Sequence, residues 1–134
     1  MRDSNRLITA AACFGALGVI LGAFGAHALE ARLSAGALVT FETGVRYQLW
    51  HALAMLATGV LATQGVDLRR GRLQLAGWAF ALGIVLFSGS LYAIVFTGIR
   101  ALGIVTPFGG LCFVAGWLSL ALAARRPGRS DVHG

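Results

Sequence analysis

The sequence predicts an all-α integral membrane protein, a four-helix bundle with both termini cytoplasmic. Of its 134 residues, 57% are hydrophobic and 12% are charged, and the mean hydropathy is +0.78. A soluble domain carries roughly twice that charged fraction, because its surface must be hydrated. Four apolar runs each have about the 20-residue length that a helix needs to cross ~30 Å of hydrocarbon. These observations favour a single four-span membrane domain.

The four predicted spans cover residues 7–29, 44–63, 73–97 and 107–124. Each is expected to be helical, since an open strand would leave backbone groups unpaired in lipid. The first run follows Arg2 and Arg6 and ends in an Ala-His-Ala tripeptide, so it resembles a secretory signal with its cleavage site. It exceeds the about 7–15 residues of a signal core, which favours a retained helix. Residues 125–134 are expected to form a disordered cytoplasmic tail.

The arginines predict the orientation in the membrane. Four spans place both termini and the middle connection on one side, and eight of the eleven basic residues fall there: Arg2, Arg6, Arg69, Arg70, Arg72, Arg125, Arg126 and Arg129. The other side has Arg32 and Arg100, with Arg46 near its membrane edge. An excess of arginine marks the cytoplasmic side, so we expect a multi-pass protein of the bacterial inner membrane. Nucleic-acid binding is disfavoured, because short clusters do not form a continuous basic stripe.

This orientation collects polar residues in the half of the bundle away from the termini, which we call the outer half. The second span carries Gly44, Tyr47, Gln48, His51, Met55 and Thr58 at helical spacing, on one face. That face must point into the bundle, since polar groups turned to lipid would stay unsatisfied. His51 lies ~10 Å below the outer edge, a depth similar to that of Ser88 and Ser90 on the third span. We therefore expect His51 to hydrogen-bond Ser88, Ser90 or Tyr92.

The start of the fourth span adds backbone groups to the same region. Thr106 and Pro107 have the residue types of an N-cap and a first helical position. Free amides at Phe108, Gly109 and Gly110 would then present a partial positive charge. The complete set of candidate ligand-binding residues is His27, Gln48, His51, Ser88, Ser90, Tyr92, Thr106, Gly109 and Gly110.

Two functions are compatible with this set. In the first, the outer half encloses a pocket for a small amphipathic ligand such as a lipid, a quinone or haem, because ionisable groups inside membranes mark functional sites. In the second, the same groups only lock the bundle of a non-catalytic scaffold or assembly partner. A haem would need His27 and His51 to face one cavity. No third nitrogen or thiolate lies at that level, which weakens zinc or copper and leaves the metal unknown.

No sequence motif supports catalysis, so no catalytic residue is predicted. Cys13 and Cys112 lie inside apolar runs and are expected to be small buried thiols. Glu42 and Arg46 are expected to pair across one helical turn. Glycines recur on the first and fourth spans, where they serve either packing within one chain or homo-oligomerisation. They are Gly15, Gly18, Gly22, Gly25, Gly109 and Gly116.

Four ordered motifs resemble the YgdD-like proteins (domain of unknown function 423). The motifs are GAFGAHAL at 22–29, FETG at 41–44 followed by Tyr47-Gln48 and His51-Ala52, FSGSLY at 87–92, and TPFGG at 106–110 followed by Gly116-Trp117. The resemblance covers residues 7–124. It implies a small four-span inner-membrane protein, with mitochondrial relatives in eukaryotes, and it implies no activity.

Overall fold

The computed structural model describes residues 2–64 and 68–125, and within these residues all regular secondary structure is helical, with no strand. The helices are α1 (Arg2–Phe24), α2 (Ala35–Thr63), α3 (Arg70–Gly83), α4 (Gly89–Thr97) and α5 (Thr106–Ala124). A first π-helical turn (Gly25–Leu29) continues α1, a second (Ile84–Ser88) joins α3 to α4, and a 3₁₀ turn (Arg100–Ile104) precedes α5. The expected disordered tail lies, apart from Arg125, outside the described residues.

The helices alternate in direction, so the start of α1 and the end of α5 lie at the same end of the bundle. Leu7 of α1 lies beside Gly59 near the end of α2 and beside Gly77 of α3. The amide of Arg69 donates to the carbonyl of Ala123 across 3.4 Å, which joins the start of α3 to the end of α5. The connections at residues 30–34 and 98–105 lie at the opposite end, which we call the outer end.

Within the part of the chain that the structure describes, three segments are long and apolar enough to cross a membrane, namely Arg2–Leu29, Arg70–Thr97 and Arg100–Ala124. The fourth long helix, α2, has 29 residues and lies alongside the other spans. At 1.5 Å per residue it is ~43 Å long, more than a bilayer core requires. Its hydropathy is lowered by polar residues such as Gln48 and His51, both of which are buried inside the bundle. The molecule is therefore a four-helix membrane bundle in which α2 carries the polar face.

Helix α2 begins at Ala35, well before the span predicted from residue 44. Ser34 has an extended backbone, and its side-chain oxygen accepts the amide hydrogen of Ala37 at 3.3 Å. Such a cap satisfies one of the amide groups left free at a helix start. The segment 35–43, expected to be a connection, consequently forms the first turns of the helix.

The third span is irregular in its middle and ends sharply. A β-carbon built at Gly109 of α5 would overlap the backbone nitrogen of Phe87 in the second π-helical turn, so the two backbones touch there. α4 ends at Thr97. The next residue, Gly98, caps the helix with a left-handed φ of 72°, and its amide donates to the carbonyl of Ile94 at 2.8 Å. Glycine adopts that conformation without strain and thereby stops the helix.

An apolar core fills the half of the bundle nearest the termini. Leu7, Met55, Ala76 and Phe80 are fully buried there, and Phe113 reaches this cluster from α5. Five of the six recurrent glycines face another part of the same chain: Gly18, Gly22 and Gly25 face α2, and Gly109 and Gly116 face the third span, whereas nothing lies within 4 Å of the β-carbon position of Gly15. The expectation that both cysteines are buried is wrong for Cys13, which is exposed on the surface of α1.

Candidate functional site

The polar face predicted on α2 points into the bundle. Gln48 is 2% exposed and His51 6%, and Met55 and Thr58 are fully buried. Trp50, on the opposite face, is 55% exposed. The helical spacing therefore identified correctly which side of α2 meets the other helices.

Gln48 links three helices through its side-chain amide. Its Nε2 donates to the carbonyl oxygen of Phe14 on α1 at 2.8 Å. Its Oε1 accepts the hydroxyl hydrogen of Tyr92 on α4 at 2.9 Å. Both ends of the amide are thus engaged by the protein, which leaves Gln48 little capacity to bind a ligand.

Ser88 and Ser90 hold the second π-helical turn and α4 against their neighbours. The hydroxyl of Ser88 donates to the carbonyl of Gly44 on α2 at 2.7 Å, and Ser88 is fully buried. Ser90 Oγ lies 2.7 Å from the hydroxyl of Thr106 on α5 and also donates to the carbonyl of Phe87 at 2.9 Å. Each serine therefore makes one contact to another helix.

His51 does not bond to the third span, and that prediction is wrong. Its Nδ1 lies 2.7 Å from the carbonyl oxygen of Tyr47, one turn earlier on α2. Its Nε2 accepts the indole hydrogen of Trp117 on α5 at 3.3 Å. The depth of a residue along its helix can be read from the sequence, but the neighbouring helix that its side chain faces cannot. The side chain of His51 faces α5. Because an indole only donates and a carbonyl only accepts, His51 is the neutral tautomer with hydrogen on Nδ1.

Aromatic rings enclose the imidazole of His51. The Phe113 ring stacks on it with centroids 3.5 Å apart and planes 8° from parallel. Phe80 and Tyr47 lie at 5.7 and 5.8 Å. With both nitrogens hydrogen-bonded and one face covered, His51 offers no free lone pair to a haem iron. A haem held by both histidines would need them to face one cavity, and this condition is not met, since His27 is exposed on the first π-helical turn.

Trp117 is the functional side chain that sequence reasoning missed. Its side chain is about half exposed, at 49%. The available signal was its indole N–H, which requires an acceptor when it is removed from water. The nearest acceptor at the same depth is the imidazole of His51.

The start of α5 differs from the prediction as well. The helix continues directly from the 3₁₀ turn, so Val105 takes the N-cap position and Thr106 is the first helical residue. The amides of Phe108 and Gly109 donate to the carbonyl of Val105 at 3.1 and 3.3 Å. Those two amides are consequently not free. Three amides, those of Phe108, Gly109 and Gly110, were expected to attract an anion, and two of them are hydrogen-bonded within the protein.

Among residues 2–64 and 68–125, none of the nine candidate residues lines the three surface cavities described next. Three surface cavities of about 280, 420 and 370 Å³ are lined by other residues. Within residues 2–64 and 68–125, every buried side-chain nitrogen and oxygen has a hydrogen-bond partner. In the same ranges, no three His, Cys, Asp or Glu side chains lie close enough to hold a metal ion.

Comparisons with known proteins identify relatives over most of the chain. A family model described as "Protein of unknown function (DUF423)" matches residues 21–110. The UPF0382 inner membrane protein YgdD of Escherichia coli K12 is 37% identical over 135 residues, which cover 96% of each chain. The UPF0382 membrane protein YwdK of Bacillus subtilis is 44% identical, over 81% of this chain and 86% of its own. A UPF0382 membrane protein of Haemophilus influenzae is 43% identical, over 87% and 91%. No solved structure matches.

Proposed function

Since the chain belongs to the DUF423 family of membrane proteins, whose function is unknown, we propose that it acts as a non-catalytic membrane scaffold or assembly partner. Membership confirms the resemblance to the YgdD-like proteins and agrees with an inner-membrane location. The family contributes no chemistry, so the proposal depends on the geometry of the polar residues in the outer half.

One observation supports a structural role for these residues. The buried candidates Gln48, His51, Ser88 and Ser90 all donate to or accept from other groups of the protein. A site for a small ligand normally keeps a few convergent polar groups open in a concave pocket. Here each of these groups is hydrogen-bonded to the backbone or to another side chain of the protein, so no observation favours a lipid, quinone or haem among them.

The network has a use in a membrane that it would not have in water. Apolar helices gain little from associating in lipid, so packing and hydrogen bonds must specify their arrangement. Each such bond contributes only about 0.6 kcal/mol on average, but here the bonds tie α2 to α1, α4 and α5. A bundle whose helices are fixed in this way presents lipid-facing surfaces of constant shape. We infer that those surfaces contact another membrane protein or a second copy of this chain.

The purified protein tests the first half of this proposal. We expect His51→Ala to lower the melting temperature in detergent, because it breaks the bond to Trp117 and leaves a cavity beside Phe113. Leu53→Ala is the matched control, since Leu53 is two positions away on α2 and 66% exposed. Absorbance and lipid or quinone mass spectrometry are measured in parallel. A stoichiometric ligand that His51→Ala removes without changing the melting temperature would contradict the proposal.

Cross-linking in native membranes tests the second half. A photo-reactive amino acid is placed at one exposed position on each long helix: Val19, Leu53, Leu82 and Leu111. We expect a discrete protein adduct from at least one helix face and only lipid adducts from the others. Lipid adducts alone from all four faces would argue against a scaffold or assembly partner.

A further inference from the structure

A groove of about 280 Å³ runs between α1 and α2 near the outer end, on the surface of the bundle. Its walls are Gly22, Gly25, Phe41, Glu42, Val45, Arg46 and Leu49. None of these belongs to the polar network described above. The groove therefore requires its own explanation.

The residues that line the groove lie at successive depths along one membrane leaflet. A β-carbon built at Gly25 would lie 2.9 Å from the Phe41 ring, and one built at Gly22 would lie 3.4 Å from Val45. Because α1 runs toward the outer end and α2 away from it, these two contacts give the depth order. Phe41 is nearest the outer end and Leu49 is deepest, eight residues or ~12 Å further along α2. Within that length Arg46 lies about 7–8 Å below Phe41, and Leu49 lies about 4–5 Å deeper still.

Two residues of opposite charge, Glu42 and Arg46, line the groove without forming an ion pair with each other. Glu42 and Arg46 are both exposed, and the expected ion pair between them does not form: no oxygen of Glu42 lies within 4 Å of the guanidinium. Within the described part of the chain, the one ion pair joins Arg6 to Asp3 at the opposite end, 3.6 Å apart. Along α2, Glu42 lies one turn, ~6 Å, nearer the outer surface than Arg46.

We propose that this groove binds a phospholipid with an ethanolamine headgroup. In such a lipid the phosphate is attached to the glycerol and the ammonium lies beyond it, toward water. This order matches the groove, where Arg46 is the deeper charge and Glu42 the outer one. The guanidinium binds the phosphate by charge-assisted hydrogen bonds, and the Glu42 carboxylate accepts hydrogens from the ammonium.

The apolar part of the groove accommodates an acyl chain. Val45 and the bare backbone of Gly22 line the groove at about the depth of Arg46, and Leu49 lies about 4–5 Å deeper; none of the three offers a polar side chain. An anionic headgroup without an ammonium, such as that of phosphatidylglycerol, would bring no positive charge to neutralise Glu42. A choline headgroup has no N–H to donate to that carboxylate. The charges thus select the ethanolamine lipid from lipids with the same acyl chains. This site is independent of the scaffold role.

Native mass spectrometry of the purified full-length protein measures this selectivity. The protein is incubated with phosphatidylethanolamine, phosphatidylglycerol and phosphatidylcholine of identical acyl chains. We expect the wild type to retain the ethanolamine lipid about tenfold better than either competitor, equivalent to about 1.4 kcal/mol. Arg46→Gln should abolish this retention, and Glu42→Gln should remove the preference for ethanolamine while retaining some phospholipid binding.

The controls are Glu30→Gln and Arg32→Gln, two exposed charges near the same end that do not line the groove. Both should retain the lipid as the wild type does. Equal retention of the three lipids by the wild type would overturn the proposal, as would unchanged retention by Arg46→Gln. A lipid-free dimer with the groove occupied by a second copy would also overturn it. Circular dichroism of each variant verifies that the helix content is unchanged.

Discussion

The indole nitrogen of Trp117 donates its hydrogen to Nε2 of His51 across 3.3 Å and thereby joins α5 to α2. The two residues are 66 positions apart in the chain. The same imidazole stacks on Phe113, one turn before Trp117 on α5. A single side chain of α2 is thus held by a hydrogen bond and an aromatic contact from one neighbouring helix.

Trp117→Phe should lower the free energy of unfolding by about 0.6–1.7 kcal/mol, the range measured for hydrogen bonds between membrane helices. The substitution keeps an aromatic ring but removes the donor to His51. Trp78→Phe is the control, because Trp78 is similarly exposed and its indole makes no hydrogen bond within the described residues. The measurement is reversible unfolding in mixed micelles. Equal losses from the two variants would show that the His51 bond contributes nothing.

Gln48→Leu should destabilise the bundle more than Tyr92→Phe does. The leucine leaves both the Tyr92 hydroxyl and the Phe14 carbonyl without their partner, whereas the phenylalanine frees only Oε1 of Gln48. The double variant should cost less than the sum of the two, with a coupling of about 0.5–1.5 kcal/mol between contacting residues. A double-mutant cycle by unfolding measures the coupling. Strict additivity would mean that the hydrogen bond seen here is not stabilising.

Gly109→Ala should cost about 1–3 kcal/mol, as overpacking does, because the new methyl group meets the backbone of Phe87, which cannot rotate away. The neighbouring Gly110→Ala is the matched control, since nothing lies within 4 Å of its β-carbon position. The comparison needs melting temperatures of the two variants in the same detergent. A Gly109→Ala variant as stable as Gly110→Ala would contradict the close approach of α5 to the second π-helical turn.

Reporter fusions at residue 134 and after Arg70, at the start of α3, should both be cytoplasmic, and a fusion after Ser34 should be periplasmic. The alternation of the helices places the start of α1 and the end of α5 at one end, and the arginine distribution predicts which side that end faces. Alkaline phosphatase and fluorescent-protein fusions measure this directly. An intact mass that lacks residues 1–28 would show that the first helix is a cleaved signal and would refute the topology.

The sequence by itself determined the fold class, the polar face of α2 and the resemblance to the family. Hydropathy reveals helices that cross lipid because the length of a span is fixed by the bilayer. Helical spacing put Gln48 and His51 on one side, and burial makes that side the interior. These inferences use only local geometry, which is why they could be made without knowing how the helices are arranged.

The tertiary structure decided which partner each polar group has. His51 was expected to face the third span and instead faces Trp117, since rotation of one helix about its neighbours leaves no trace in the sequence. The sequence also did not indicate that α5 continues directly from a 3₁₀ turn, with the amides of Phe108 and Gly109 hydrogen-bonded to the carbonyl of Val105. Depth in the membrane follows from counting residues along one helix. Contact between helices depends on their mutual rotation and close packing, and these are properties of the assembled bundle alone.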